Sequence, residues 1–237
     1  PPRSTLFPYT TLFRSSERES TIKTDAGETD KSIQLIGVTG NASGGAAAMG
    51  ISSGSGKGPR SSFFGSGGNA YYIVYVVDRS GSMSVTFDSV RQEMLRSISR
   101  LSKEQQFHVI LFADGDPLEK DPKYLTPADE TYKPKAALFL QDIRAQGQTN
   151  PIPALQRAFA VLGQATGGRS GKLIYLLTDA SFPDNEKVLS MVSAANRDKQ
   201  VHINTFLYDF RDPSALKVME RIARENGGVF RNVKGDE

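Results

Sequence analysis

The chain has 237 residues, 38% of them hydrophobic and 9% aromatic, which is enough apolar side chain to build one good core. Its 29 Lys and Arg nearly balance 26 Asp and Glu and alternate with them along the sequence, so no basic face suited to nucleic acid stands out. The absence of cysteine excludes disulfides, thiolate metal sites and a cysteine nucleophile, and no apolar run reaches the roughly 20 residues that a bilayer-spanning helix needs.

In chain order, residues 1–15 (PPRSTLFPYTTLFRS) are, codon by codon, the translation of a common sequencing-adapter oligonucleotide. They carry no fold information, as with any appended segment. Arg3 and Arg14 supply two of the formal +3 charges, so the remainder carries only +1. Because the adapter displaces the natural beginning, an upstream signal or membrane tether is left open, and no compartment follows. Residues 16–70 turn from polar to rich in Gly, Ser and Ala, ending in FFGSGGNA. Such a composition cannot bury enough apolar area to offset its ordering entropy and predicts a flexible linker, with residues 33–38 (IQLIGV) as a short strand within it.

From Tyr71 the texture changes: strand-length apolar runs alternate with amphipathic helical stretches. This predicts an α/β domain over residues 71–233 with a mainly parallel sheet, followed by a tail, 234–237. The first strand, 71–77 (YYIVYVV), is apolar without alternation, as a central strand covered on both faces should be. Phe87, Val90, Met94, Ile98 and Leu101 then recur at three- and four-residue steps, the mark of a helix with one buried stripe. Residues 107–112 (FHVILF) form the second strand, and 123–125, bracketed by Pro122 and Pro127, a short edge strand. A helix follows over about 134–145. A second one is capped by Asn150, with Pro151 at its first position and Ile152, Leu155, Phe159 and Leu162 on its core face. Strand 173–177, helix 185–196, strand 201–208, a helix opened by Asp212-Pro213 and closed by Gly227-Gly228, and strand 229–233 complete the pattern.

Asp78-Arg79-Ser80-Gly81-Ser82 follows the central strand directly. The spacing D-x-S-x-S puts a carboxylate at the strand end and two hydroxyls on a glycine-containing turn that can curl them toward one point. Oxygen-only ligands suit a hard cation such as Mg²⁺. Asp78 taken alone is equally a strand-terminal residue capping its own turn.

The run YIVYVVDRSGSM resembles the opening of bacterial-type von Willebrand factor type A (VWA) domains and of integrin I domains, with their metal-ion-dependent adhesion site. The resemblance implies a doubly wound, Rossmann-like sheet of six strands in the order 3-2-1-4-5-6, with helices on both faces and strand 3 a short antiparallel edge. It also implies two further site residues: a Thr between the second and third helices, here Thr149, and an Asp after the fourth strand, here Asp179. In that order the reversal lies between strands 1 and 4, which Asp78 and Asp179 end, and ligands of open α/β sheets sit beyond such reversals. The implied metal set is Asp78, Ser80, Ser82, Thr149 and Asp179, holding Mg²⁺ or Mn²⁺, with Asp179 acting mainly through water. Ala180 departs from the Gly usual in the family. Arg79 places a bulky cation at the variable position, either solvated or attracting an acidic partner.

Other signals fail their context tests. Gly65-x-Gly67-x-x-Ala70 precedes the first strand instead of following it, Gly54-Ser55-Gly56-Lys57 lacks the earlier Gly of a phosphate loop, and Ser170 lacks a nucleophile elbow. His108 and His202 fall within strands, where a hydrogen-bonded structural role is the default. Asp114, Asp116 and Asp121 read as solvated turn residues without an EF-hand pattern, with a secondary role in lining a partner surface. The expected function is a cation-dependent adhesion or complex-assembly module that binds another protein's Asp or Glu, with no catalytic residue and no nucleic acid. The alternative is a metal-dependent hydrolase or phosphotransfer enzyme using the same cation, for which only Asp179 offers a base.

Overall fold

The computed structural model describes residues 57–165, 168–209 and 212–235. The adapter stretch 1–15, the first part of the expected linker with its strand 33–38, and the end of the tail lie outside these residues.

The central strand β3 (Tyr72–Asp78) is buried at every position, which its unbroken apolar run requires. It pairs in parallel with β4 (Gln106–Phe112) on one side and β7 (Lys172–Thr178) on the other. β8 (Val201–Tyr208) and β9 (Phe230–Val233) continue the parallel sheet beyond β7. Two short antiparallel pieces, β5 (Leu118–Glu119) and β6 (Thr126–Pro127), both pair with β4 at the other edge. The order β5-β4-β3-β7-β8-β9 is the doubly wound 3-2-1-4-5-6 arrangement.

The edge differs from expectation. The strand expected at 123–125 is absent, and its place is taken by two fragments flanking a loop that contains the cis Asp121-Pro122 bond. Each fragment is too short to show an alternating pattern.

The helices are α1 (Phe87–Ser99), α2 (Tyr132–Gln141), α3 (Ile152–Gly163), α4 (Asn185–Ala195) and α5 (Pro213–Glu225). α2 begins earlier than its apolar pattern suggests because the Asp129 carboxylate accepts from the backbone N–H of Thr131 and Tyr132, at 2.9 and 3.0 Å. Asp184 and Asp212 cap α4 and α5 in the same manner, at 2.9 and 2.8 Å. The core face of α3 is turned slightly from the expected one: Ala154, Leu155, Ala158, Val161 and Leu162 are buried, while Ile152 and Phe159 are half-buried at its flanks. α1 and α2 pack on one face of the sheet, α3, α4 and α5 on the other.

The expectation of a linker running to Ala70 is corrected by an antiparallel hairpin, β1 (Arg60–Phe63) and β2 (Ser66–Asn69). Its two-residue turn, Phe64-Gly65, has positive φ at both positions, 45° and 69°, the combination whose twist matches paired strands. Phe63 is fully buried against the rings of Tyr75, Tyr175 and Phe206, at centroid distances of 5.0 to 5.6 Å. Two adjacent phenylalanines thus tie down a segment whose Gly and Ser content points to a tether.

Both histidines take structural roles. His108 is buried with Nε2 2.9 Å from Glu119 Oε2, and His202 Nδ1 lies 2.7 Å from the Gly227 carbonyl.

Candidate functional site

At the carboxyl ends of β3 and β7, four side chains form a chain of contacts. Asp78 is fully buried. Its Oδ1 accepts from the Ser80 backbone N–H at 2.7 Å, and its Oδ2 from the Thr178 hydroxyl at 2.6 Å. Ser80 Oγ and Ser82 Oγ are 3.0 Å apart, and the Ser82 hydroxyl donates to Asp179 Oδ1 at 2.7 Å. The strand ends supply the carboxylates, and a short 3₁₀ turn, Gly81–Ser84, curls the serines between them. Residues a hundred positions apart thereby meet across the gap between two adjacent parallel strands.

The loop carrying Thr149 is tied to this turn by backbone bonds. Gly81 N–H donates to the Gly147 carbonyl at 2.9 Å, Gln146 N–H to the Arg79 carbonyl at 2.7 Å, and Asn150 N–H to the Ala113 carbonyl at 3.1 Å. Gly147 has φ +81°, and a Cβ there would come within 1.9 Å of Asp114 Oδ1, so only glycine lets the two loops close up. The structure therefore sets Thr149 in the loop beside the D-x-S-x-S turn, half-buried, but its side chain makes no hydrogen bond to the other four residues.

Electrostatically, burial pushes the Asp78 carboxyl up to about 6, the neighbouring Asp179 adds to the rise, and hydrogen bonds from Thr178 and Ser80 pull the other way. A desolvated carboxylate beside a second one is a place where positive charge is favoured. Every converging atom is oxygen, which fits a hard divalent cation. Among the described residues, nowhere do three His, Asp or Glu side chains gather at one point. A cation here would lean on hydroxyls as much as on carboxylates.

Two expectations shift. Arg79 is buried, 8% exposed, beneath the α2–α3 connection, where Nη1 donates to the Arg144 carbonyl at 3.4 Å. It is therefore part of the scaffold, neither solvated nor presented to a partner. Ala180 is accommodated without strain, since the described non-glycine residues with positive φ are Phe64, Lys199 and Asp209. One neighbour has a role that the residues alone did not signal: Thr178 holds Asp78, for which its place beside Asp179 at a strand end was the available hint. Asp114, expected as a solvated turn residue with a secondary role in lining a partner surface, lines a cleft together with Thr149.

Comparison with known proteins places these features in a wider set. Residues 73–237 match the model of the von Willebrand factor type A domain. Human von Willebrand factor A domain-containing protein 3B is 26% identical over 159 residues, covering 67% of this chain and 11% of that protein. Human inter-alpha-trypsin inhibitor heavy chain H4 is 28% identical over 171 residues, covering 69% of this chain and 18% of that protein. The chain thus spans less than a fifth of the length of these relatives. Among solved structures, a von Willebrand factor type A protein from Catenulispora acidiphila superimposes with a TM-score of 0.59 at 17% identity, covering 72% of this chain and 40% of that one. At that identity the likeness is one of fold.

Proposed function

Because the chain belongs to the von Willebrand factor type A family, we propose that it is a divalent-cation-dependent binding module that recognises a carboxylate on another protein. Domains of this family serve mainly in protein–protein interaction and adhesion. The observation that carries the finer reading is the unbroken contact chain from buried Asp78 through Ser80 and Ser82 to Asp179.

Asp78, Ser80, Ser82, Thr149 and Asp179 would hold Mg²⁺ or Mn²⁺, which supplies positive charge and room for an oxygen ligand from outside. The chain's own contribution is to present neutral hydroxyls alongside few carboxylates, which leaves that charge partly uncompensated and favours an incoming Asp or Glu. Thr178 and the Ser80 N–H fix both oxygens of Asp78, so the carboxylate is oriented before any ligand arrives. The bonds Gly81–Gly147 and Arg79–Gln146 hold the Thr149 loop in register with the serine turn.

Calorimetric titration with Mg²⁺ and Mn²⁺ tests the reading. The wild-type chain is expected to bind one cation and to melt higher in its presence, by about 2.7 kcal/mol of added stability at a hundredfold excess over Kd. Asp78→Ala is expected to abolish the binding heat while keeping the circular dichroism of the fold. Undiminished cation binding by that variant would remove the assignment.

A further inference from the structure

The loop that carries Thr149 and the loop that follows Asp179 part to leave a cleft of about 370 Å³ at the same end of the sheet. Its apolar lining includes Pro151, Ile152, Phe182 and Val188, of which Phe182 and Val188 are buried at 4% and 1% exposure and Ile152 is half-buried. Thr149 and Asp114 also line it. Asp114 is the residue whose carboxylate lies against Gly147, and the Gly147 carbonyl accepts from Gly81 in the serine turn. The cleft therefore lies beside the loop contacts that hold the serine turn, and it is lined by Thr149, one of the five proposed ligands.

The lining carries two carboxylates, Asp114 and Asp184, and one ammonium, Lys187. Asp184 is committed to capping α4, where it accepts from the Lys187 backbone N–H. A second acidic side chain entering the cleft would meet like charge over an apolar floor and lose on both counts. An uncharged apolar side chain loses on neither, and the volume stands at the lower end of ligand-binding pockets, suited to one or two side chains.

We infer that the partner is a protein segment carrying one Asp or Glu for the cation site and, within a few residues, one aliphatic or aromatic side chain that enters the cleft and packs on its accessible apolar wall, Ile152, Pro153 and Pro183, above the buried Phe182 and Val188. The inference rests on the cation-site reading above. The cleft supplies what the carboxylate alone cannot, a preference among acidic segments, since any exposed Asp or Glu offers the same two oxygens.

The test uses the whole chain and a set of end-blocked hexapeptides built from Gly and Ser. Each contains one Glu, and Leu, Ala or Asp stands one to four residues away. Titrations are run with Mg²⁺ and with a chelator, after Mg²⁺ binding by the protein alone has been measured. In Mg²⁺, the best Leu peptide is expected to bind about tenfold tighter than its Ala counterpart, as burial of one such side chain predicts, with the Asp peptide weakest. Ile152→Asn should erase the Leu preference, and Ile152→Ala, a milder change, should reduce it partway; the Mg²⁺ affinity of each variant is measured first, and peptides are compared at saturating Mg²⁺. Equal binding of Leu and Ala peptides by a protein that does bind Mg²⁺ overturns the cleft inference alone. A protein that binds no Mg²⁺ overturns both readings. A Leu preference that survives the chelator overturns the link between cleft and cation.

Discussion

The two faces of the sheet are closed by different means. On one, α3, α4 and α5 lay aliphatic residues such as Leu155, Val188 and Ile222 against Val74, Ile174 and Ile203. On the other, α1 and α2 share the surface with the β1–β2 hairpin, whose Phe63 sits among Tyr75, Tyr175 and Phe206. The buried polar groups differ as well. On the aromatic face Tyr75 meets Ser97 and Tyr175 meets Ser61, while the buried Lys120 ammonium lies over the rings of Phe107 and Tyr132. The α3 face holds an imidazole, His108, joined through Glu119 to Arg157. One face is sealed by helices adjacent in sequence to its strands, and the other depends on a plug from outside the βα repeat. A doubly wound sheet can thus close its core with a few well-placed aromatics where helices do not reach.

Removing the plug should produce the largest effect. Phe63→Ala is expected to cost about 3–5 kcal/mol in chemical denaturation, comparable with the most damaging truncations on the helical face, such as Ile222→Ala at about 2–5 kcal/mol. A loss below about 1 kcal/mol would mean that the hairpin merely rests on the sheet. The next effect is an acid dependence that arises on the α3 face. Burial holds the His108 imidazole down at about 4, below its usual 6.5, with Lys120 and Arg157 lowering it further and Glu119 opposing them. The unfolded chain therefore takes a proton as pH falls through 6.5 that the folded chain refuses until about 4, and stability drops across that window by up to about 3 kcal/mol. Asp78 in the metal-free protein acts with the opposite sign. Its raised value lets the folded chain bind a proton first, adding stability between about 6 and 3.8. The difference between wild type and His108→Gln isolates the imidazole, and the variant should lose its share of the acid slope. An unchanged slope would place the titration elsewhere.

Much of this architecture was legible in the residues themselves. Apolar runs and three-to-four-residue spacing report local burial, so β3, β4, β7 and β8 and the stripe of α1 could be read directly. Asp78 and Asp179 stand at the ends of such runs, where the parallel register brings them together. What escaped depends on contacts distant in sequence. The hairpin is composed like a tether, and only the rings it meets on β3, β7 and β8 explain why it is ordered. The edge fragments β5 and β6 exist because β4 offers them an unpaired side. Arg79 looked solvated because nothing nearby in sequence signals that Arg144 and Gln146 fold over it. The place of Asp114 against Gly147 is set by the meeting of two loops, which no local pattern records.

The smallest effects sharpen the comparison within the aromatic face. The Ser61 hydroxyl donates to the Gly68 carbonyl at 3.0 Å and the Ser97 hydroxyl to the Ser62 carbonyl at 2.6 Å. Each serine has a single proton, so the tyrosine hydroxyls, both 2.7 Å away, must be the donors: Tyr175 to Ser61 and Tyr75 to Ser97. Deleting either end of one bond is therefore unequal. Ser97→Ala leaves a buried Tyr75 hydroxyl with no acceptor and is expected to cost about 1–3 kcal/mol, whereas Tyr75→Phe leaves Ser97 still donating to the hairpin and should cost about 1 kcal/mol or less. Ser61→Ala and Tyr175→Phe should repeat the order. Denaturation of the four variants measures it. A tyrosine deletion more costly than its serine counterpart would reverse the donor assignment, and the hairpin would then be held by its rings without help from these relays.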